Sequence, residues 1–265
     1  RLFGGNVAVD LTGRVAVVTG GSSGIGRATA LHLARHGARV FTGDLHPRPE
    51  NAQAFAELGI TELVCDVRRE AQVRELIERA ARDAGLHILV SNAGIDLEAQ
   101  VPEVSEEQWN ACLDTNLKGA FLACKYAIPR LLAAGGGAVV FTSSNAGLLP
   151  RAHDPVYCTS KAALIALAGS LALCHAPDKI RFNSVCPGPV SGTGIIDDSL
   201  AGADRAALER RYIEASPLAR ALGRMITPDE VAEAILYLVS DAAALVTGTA
   251  LRIDGGKSLG VPPRV

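Results

Sequence analysis

Residues 14–26 read RVAVVTGGSSGIG, a short apolar run that ends in a glycine-rich turn. Residues 24–36, which follow, repeat apolar side chains at helical spacing. Glycine permits a tight turn between a strand and a helix and lets the backbone approach a bound phosphate closely. The first turn of the helix offers free N–H groups and a positive dipole end to an anion. Because the glycines lie between a strand and a helix, we expect a nucleotide pyrophosphate site there rather than a plain turn.

Apolar runs and amphipathic segments alternate along the rest of the chain. We predict strands over residues 14–19, 39–43, 62–65, 87–91, 138–142, 180–185 and 250–253, and helices over residues 24–36, 70–84, 105–114, 116–132, 157–176 and 227–240. Strands separated by helices in this way form βαβ units around a parallel sheet. The sequence therefore predicts an α/β protein with a single-domain Rossmann fold. Its doubly wound, mainly parallel sheet would have about seven strands, with helices on both faces.

The predicted domain spans residues 1–265, and its composition limits the partners. The chain has 48% hydrophobic residues, 27 glycines and a net charge of −2. Since it has no basic run, we expect no nucleic-acid partner. No stretch approaches 18 unbroken apolar residues, and no signal-peptide pattern opens the chain, so we expect neither a membrane span nor export. The six cysteines lack the spacing of a zinc site, which favours reduced thiols, no metal and a cytoplasmic location.

Asp44 follows the second predicted strand and bears on the choice of nucleotide. A carboxylate at this point can accept both hydrogen bonds of an adenosine ribose and would repel a 2′-phosphate. A phosphate-preferring site would carry arginine nearby, whereas Ser22 and Ser23 occupy the glycine loop and Arg48 is the only neighbouring cation. NAD is therefore favoured over NADP. The alternative is that Asp44 is a solvated turn aspartate.

Tyr157 and Lys161 are four residues apart, and so they share one face of a helix. A lysine ammonium beside a phenol lowers the phenol pKa from about 10 toward neutral, which creates a proton donor and acceptor. Such a pair by itself is more often a surface feature. Here, however, Ser144, Asn92 and Asp66 each follow a predicted strand, and strand ends of a parallel sheet share one edge.

Together these motifs resemble the short-chain dehydrogenase/reductase family, in the type that has a T-G-x-x-x-G-x-G cofactor loop and a Tyr-x-x-x-Lys pair. The resemblance covers roughly residues 10–257. It implies that Tyr157 is the general acid and base, and that Lys161 lowers its pKa and binds the nicotinamide ribose. It also implies that Ser144 binds the substrate oxygen and that Asn116 holds a water in a proton relay.

The resemblance further implies a cofactor-binding set. Its members are Gly20, Ser22, Ser23, Gly24, Ile25, Gly26, Asp44, Leu45, Asp66, Val67, Asn92, Ala93, Gly94, Tyr157, Lys161, Pro187, Gly188, Val190 and Thr193. Asp66 and Val67 would meet the adenine, and the backbone of Val190 would lie beside the nicotinamide carboxamide. The family usually reads P-G-x-V-x-T, but Gly192 stands here at the threonine position. Either Thr193 replaces that contact through a shifted loop, or the contact is lost.

The implied activity is hydride transfer between NAD(H) and a secondary alcohol or ketone, in a homotetramer packed through the helix of Tyr157 and the C-terminal strand region. Two alternatives stay open. One is an NADPH-dependent 3-oxoacyl-carrier-protein-type reductase, against which Asp44 and the lack of a basic patch argue. The other is a non-catalytic NAD(H)-binding sensor, which would be expected to lose the tyrosine or the lysine.

The substrate loop is predicted over residues 191–222, a polar and irregular stretch that would fold over the nicotinamide. Other residues expected to border the pocket are Asp96, Leu97, Asn145, Leu149, Arg151 and His153. Arg151 and His153 would favour an anionic or a polyhydroxylated substrate, unless they are a solvent-facing loop pair. The sequence names no substrate, because the fold fixes the reaction type and variable side chains fix the substrate.

Overall fold

The structure is a computed structural model that describes residues 9–199 and 205–260. The strands within these ranges are β1 (Val15–Thr19), β2 (Arg39–Asp44), β3 (Thr61–Val64), β4 (Ile88–Ser91), β5 (Gly137–Thr142), β6 (Ile180–Pro187) and β7 (Ala250–Ile253). The helices are α1 (Gly24–Arg35), α2 (Ala52–Glu57), α3 (Glu70–Ala81), α4 (Glu106–Leu113), α5 (Gly119–Ala133), α6 (Pro155–His175), α7 (Gly194–Ser199), α8 (Arg205–Glu214), α9 (Pro217–Leu222) and α10 (Pro228–Val239).

The seven strands form one sheet in the order β3-β2-β1-β4-β5-β6-β7, and every neighbouring pair is parallel. The order reverses between β1 and β4, since successive strands run outward from β1 first to one edge and then to the other. Ligands bind outside the carboxyl ends of the strands at such a reversal. The predicted α/β Rossmann fold is confirmed.

The core has two halves, one on each face of the sheet. In β1, Val15 and Val17 point to one half, and Ala16 and Val18 point to the other. Helices α3, α5 and α6 cover the first half, while α1 and α10 pack together over the second. Strands that are buried on both faces read as continuous aliphatic runs, which explains the sequence RVAVVT.

The predicted strands and helices match the structure to within three residues at their ends, but the stretch 191–222 differs from its prediction. It is not irregular, since it contains α7, α8 and α9. Helix α9 begins with Pro217 and ends before Gly223, which has a left-handed φ of 67°. Helix α8 is highly charged, and only Leu208, Tyr212 and Ile213 pack on a small apolar cluster, so its periodicity is weak.

Two further elements are absent from the prediction. Helix α2 is a short helix between β2 and β3, and the predicted helix 116–132 begins with a π-helical turn over Asp114–Lys118. The predicted domain 1–265 and the loop 191–222 include residues 1–8, 200–204 and 261–265, which lie outside the described residues.

Helix α6 is long and apolar enough to cross a membrane by length and composition alone, and it is the one such helix in the described ranges. This is weak evidence for a span, because a core helix passes the same test. In the fold, Leu164, Ala168 and Ala172 of α6 are buried in the core against β5 and β6.

Candidate active site

A cavity of about 410 Å³ lies at the carboxyl edge of the sheet, where the loops after β1 to β6 meet. Most of the predicted cofactor residues line it: Gly20, Ser23, Gly24, Ile25, Asp44, Leu45, Asp66, Val67, Asn92, Ala93, Gly94, Tyr157, Lys161, Pro187, Gly188, Val190 and Thr193. Ser144 lines it as well. Ser22, Gly26 and Asn116 lie behind the wall. The topology thus brings distant parts of the sequence to one cleft.

The glycine loop between β1 and α1 has a conformation that larger residues would disturb. Gly24 has a left-handed φ of 49°. A Cβ on Gly26 would lie 2.0 Å from the carbonyl oxygen of Gly20, so Gly26 is required for the close approach of the helix to the loop. Ser23 caps α1 without a side-chain hydrogen bond, which leaves backbone N–H groups at the helix start available to an anion.

Asp44 is fixed at the end of β2 by backbone donors. The N–H groups of Ser22 and His46 donate to its two carboxylate oxygens at 3.0 and 3.1 Å. The hydroxyl of Ser22 donates to the carboxylate of Glu62 on β3 at 2.5 Å. Two carboxylates therefore lie beside the glycine loop, while the Nη1 of Arg48 lies 3.7 Å from Glu50. Glu62 was not predicted from the sequence, because only the pairing of β2 with β3 brings it beside the glycine loop.

Arg68 lines the cavity at the end where Asp66 and Val67 were predicted to meet the adenine. The sequence did not predict this residue. Its Nε and Nη2 donate to the two carboxylate oxygens of Asp66 at 2.8 and 2.9 Å. This hydrogen-bonded pairing holds the pKa of Asp66 below its ordinary value. The cavity wall there consists of an ion pair rather than a free carboxylate.

Asn92 joins the loops at the point where the strand order reverses. Its Nδ2 donates to the carbonyl oxygens of Thr19 and Gly20 at 3.2 and 3.1 Å. In return, the hydroxyl oxygen of Thr19 accepts from the N–H groups of Asn92 and Ala93. The side chain therefore holds the glycine loop against the loop after β4, and so it shapes the floor of the cavity.

Tyr157 and Lys161 lie in the first two turns of α6, which Pro155 begins. Both are buried, with 6% and 3% of their surface exposed. The Nζ of Lys161 donates to the carbonyl oxygen of Thr142 at 3.0 Å and lies 5.6 Å from the centroid of the Tyr157 ring. Ser144 lies two residues after the end of β5, and its Oγ accepts from the N–H of Ala146 at 3.1 Å. Three predicted catalytic residues thus line one wall.

Burial dominates the electrostatics of the pair. It raises the pKa of the Tyr157 phenol, and the nearby Asp96 adds to this, while a hydrogen bond with Ser144 acts in the opposite direction. Burial also lowers the pKa of Lys161 to about 8. The expectation that Lys161 brings the pKa of Tyr157 toward neutral is not met in this structure. Removing a phenolate from water costs more free energy than the neighbouring groups provide by stabilising its charge. The neutral phenol is the favoured form.

Asn116 lies in the π-helical turn between α4 and α5, and it is 1% exposed. Its Oδ1 accepts from the N–H of Ile95 at 2.8 Å, and its Nδ2 donates to the carbonyl oxygen of Ile95 at 2.9 Å and to Ser160 Oγ at 3.0 Å. Turns of this kind are frequent at functional sites. The side chain therefore clamps the loop after β4 to the helix that carries Tyr157. The water relay stays a prediction.

Thr193 lies at the end predicted for the nicotinamide. Gly192 before it has a left-handed φ of 64°. The hydroxyl of Thr193 donates to the carbonyl oxygen of Val190 at 2.9 Å, and its Cγ2 would lie 3.1 Å from a Cβ added to Gly24. The turn at Gly192 thus lets Thr193 line the cavity although it comes one residue late.

The substrate end carries charged groups that the sequence only partly anticipated. Arg151 lines the cavity, forms a short ion pair with Asp154, and lies over the Tyr157 ring at 5.4 Å. Asp96 and Asn145 also line the cavity, and burial raises the pKa of Asp96. His153, by contrast, is exposed and does not line it.

Leu97 and Leu149 are likewise not part of the cavity wall, although the sequence placed them at the pocket. Within residues 9–199 and 205–260, no three His, Cys, Asp or Glu side chains are arranged to hold a metal ion.

Comparison with known proteins gives the same fold and similar sequences. A family model described as enoyl-(acyl carrier protein) reductase matches residues 20–258. A cis-4-hydroxycyclohexanecarboxylate dehydrogenase of Sinomonas cyclohexanicum is 39% identical over 92% of this chain and 96% of its own length. The 3-oxoacyl-[acyl-carrier-protein] reductase FabG of Thermotoga maritima is 34% identical, over 93% of this chain and 98% of its own. A solved short-chain type dehydrogenase/reductase from Mycobacterium marinum has a TM-score of 0.84 at 34% identity, covering 94% of this chain and 96% of that chain.

Proposed function

Because the chain belongs to the short-chain dehydrogenase/reductase family, we propose that it transfers a hydride between NAD(H) and a secondary alcohol or ketone, with Tyr157 as general acid and base. The chain is an oxidoreductase that acts on alcohol or ketone substrates with a nicotinamide dinucleotide. The single observation that carries the finer proposal is that Ser144, Tyr157 and Lys161 line the same cavity as the glycine loop.

The described residues fit a dinucleotide. The close packing of Gly26 on Gly20 leaves the start of α1 open, and its backbone N–H groups would hold the pyrophosphate. Val190 and Thr193 would lie at the nicotinamide end. When bound, the nicotinamide accepts the hydride of a carbinol carbon or donates one to a carbonyl carbon. The protein supplies the position of the substrate and the proton.

The proton chemistry is assigned to three side chains. The hydroxyl of Ser144 is oriented by the Ala146 N–H at its oxygen, and it would donate to the substrate oxygen. The neutral phenol of Tyr157 would protonate a carbonyl oxygen during reduction, and the phenolate would take the hydroxyl proton during oxidation. A positively charged Lys161 beside the ring favours the phenolate and so assists the second direction.

Preference for NAD is supported by two carboxylates rather than one. A ribose with free hydroxyls can donate to Asp44, which lines the cavity, whereas a 2′-phosphate would face its charge, and Glu62 behind Ser22 adds to the negative potential. Repulsion between these carboxylates and a 2′-phosphate disfavours binding of NADP. Arg48, the nearby cation in the sequence, is paired with Glu50.

The test is a fluorescence titration with NADH and NADPH, followed by a panel of secondary alcohols monitored at the nicotinamide absorbance. We expect tighter binding of NADH, and reduction of NAD by at least one alcohol. Tyr157→Phe should lose turnover by about a hundredfold or more while keeping its affinity for NADH. If the variant keeps full turnover, the role assigned to Tyr157 is wrong. If no alcohol or ketone reacts with either nucleotide, the proposed activity is wrong and a sensor role gains support.

A second candidate is reduction of a 3-oxoacyl chain on a carrier protein, because the FabG relative spans nearly the whole chain. That candidate requires tighter binding of NADPH than of NADH. It also requires turnover of a 3-oxoacyl thioester that exceeds turnover of simple ketones.

Assembly as a homotetramer and a cytoplasmic location are also proposals. Leu173 of α6 is 84% exposed and Leu245, just before β7, is 99% exposed, so apolar side chains mark both surfaces that the family would pack together. Light scattering on a sizing column should give four times the chain mass, and a stable monomer would contradict it.

A further inference from the structure

The side chains around Tyr157 carry a charge pattern that the proposed reaction does not use. Asp96 and Arg151 both line the cavity, and both act electrostatically on the phenol. Asp154 lies beside Arg151 and is 5% exposed. The proposed proton transfer assigns no role to these three, so the two that line the cavity, Asp96 and Arg151, are candidates to recognise the part of the substrate beyond its reacting carbon.

Arg151 is a poor receptor for an anion because its charge is already balanced. Its Nη2 forms the short ion pair with Asp154, and its guanidinium lies over the Tyr157 ring. Asp96, Arg151 and Asp154 together carry one net formal negative charge. A carboxylate or sulfonate on the substrate would meet Asp96 with no unpaired cation among these three groups to offset the repulsion. Of the two substrate classes that Arg151 suggested in the sequence, the anionic one is disfavoured.

Asp96 is held in a fixed position. The N–H of Leu97 donates to its Oδ1 at 2.8 Å. The preceding residue, Ile95, is clamped through both its N–H and its carbonyl oxygen by Asn116. No donor among the described residues bonds to Asp96 Oδ2. A carboxyl group that lines the cavity and has one oxygen unbonded among the described residues can accept from a hydroxyl, and the hydrogen bond from Leu97 reduces the entropy lost on binding.

Asn145 adds a second polar group on the same wall. It directly follows Ser144, is 2% exposed, and lines the cavity. Its Nδ2 has no hydrogen-bond partner among the described residues. Buried amide groups without a partner are rare and costly, but this nitrogen is itself buried, so it would reach a ligand hydroxyl only if the Asn145 side chain turned toward the cavity.

We propose that the enzyme selects polyhydroxylated substrates, and that Asp96 accepts a hydrogen bond from a hydroxyl on the carbon next to the reacting carbinol. The proposal rests on the proposed function, because Ser144 and Tyr157 define where the reacting oxygen lies. A neutral polyol matches a wall on which Asp96 offers a hydrogen-bond acceptor and the charge of Arg151 is balanced by Asp154.

The experiment compares matched alcohols that differ by one hydroxyl, namely 2,3-butanediol with 2-butanol and cis-1,2-cyclohexanediol with cyclohexanol. We expect kcat/KM with NAD to be about ten- to hundredfold higher for each diol, as for a hydrogen bond to a charged group. Asp96→Asn should lower kcat/KM for the diols about tenfold more than for the single alcohols. Glu106→Gln, a matched loss of a carboxylate from an exposed residue at the start of α4, should leave both ratios unchanged.

Equal kcat/KM for diols and single alcohols in the native enzyme would overturn the inference, and this comparison needs no variant to fold. A higher kcat/KM for 3-hydroxybutyrate than for 2,3-butanediol would overturn it too, because it would assign the site to an anion.

Failure of the proposed function has a separate signature, which is that no alcohol is oxidised. The inference is then tested by the melting temperature of the NADH-bound protein in the presence of each alcohol. A larger rise with the diol than with 2-butanol, lost in Asp96→Asn, supports it, and equal rises contradict it.

Discussion

The Nζ of Lys161 lies 5.6 Å from the centroid of the Tyr157 ring and donates its hydrogen bond to the carbonyl oxygen of Thr142. The lysine is therefore anchored to β5 and acts on the phenol through space. Both groups are buried, and burial drives their pKa values apart in the directions that favour the neutral form of each. Burial is therefore the main cause that keeps the phenol neutral in the nucleotide-free protein.

Protein stability should depend on pH through Lys161. Its pKa is lowered from 10.5 to about 8 in the folded chain, so the unfolded chain binds more protons between these values. Stability from this residue is fully present above pH 10.5 and is lost as the pH falls through about 8. Urea unfolding of the nucleotide-free protein measures this at pH 7.5 and pH 10. Between these pH values the free energy of unfolding should rise more for the native chain than for Lys161→Met. Equal pH dependence in the two proteins would contradict the shift.

Replacing Asp44 should change the nucleotide preference. Asp44→Asn removes one of the two carboxylates beside Ser22. The change relieves repulsion of a 2′-phosphate and weakens the hydrogen bonds that the ribose hydroxyls would donate to this side chain. We expect the ratio of the Kd for NADPH to the Kd for NADH to fall about tenfold or more. Glu62→Gln should shift it in the same direction, whereas Glu57→Gln on the exposed side of α2 serves as the control and should not. An unchanged ratio in Asp44→Asn would refute the assignment.

Two glycine-to-alanine changes should have opposite effects. In Gly26→Ala the new Cβ would lie 2.0 Å from the carbonyl oxygen of Gly20, so the loop must move, at a cost of about 1–3 kcal/mol and with loss of NADH binding. In Gly169→Ala, on α6, a Cβ meets nothing within 4 Å, and helix propensity predicts a gain of up to about 1 kcal/mol. Urea midpoints and NADH titration measure both. Normal NADH affinity in Gly26→Ala would show that the close approach is dispensable.

Asn116 should affect both stability and catalysis. Asn116→Ala removes its two hydrogen bonds with the backbone of Ile95, which are part-buried and contribute about 0.5–1.5 kcal/mol each. Because the loop it releases also carries Asp96, kcat/KM for alcohols should fall more than the affinity for NADH. Steady-state kinetics and an NADH titration separate the two effects. A variant with reduced stability and unchanged kcat/KM would limit Asn116 to a structural role.

The fold and the main positions of the cavity wall were predictable from local patterns. RVAVVT followed by glycines and then by a helical pattern predicts a strand and a phosphate-binding turn, because this signal lies in one short stretch of sequence. Asp44 and Tyr157 were found by their place after a strand or within a helix. These residues need no long-range contact to be recognised.

The electrostatic partners were not predictable in the same way. Glu62 reaches Ser22 only through the register of β3 against β2, and Arg68 is one of many surface arginines until its pairing with Asp66 is seen. The shift at Tyr157 depends on burial, which the spacing of Tyr157 and Lys161 does not report. Helix α8 escaped detection because its charged residues obscure a narrow apolar stripe.

The π-helical turn at Asp114–Lys118 has a consequence for how the gene can vary. Such a turn holds one residue more than an α-helical turn, and each residue turns a helix by about 100°. Deleting a single residue there would let the segment close into a regular helix and would rotate the side chains on either side out of phase. Asn116 would then leave Ile95 even if it were still present in the chain. We therefore expect deletion of one residue here to be tolerated less well than a substitution of a neighbouring residue.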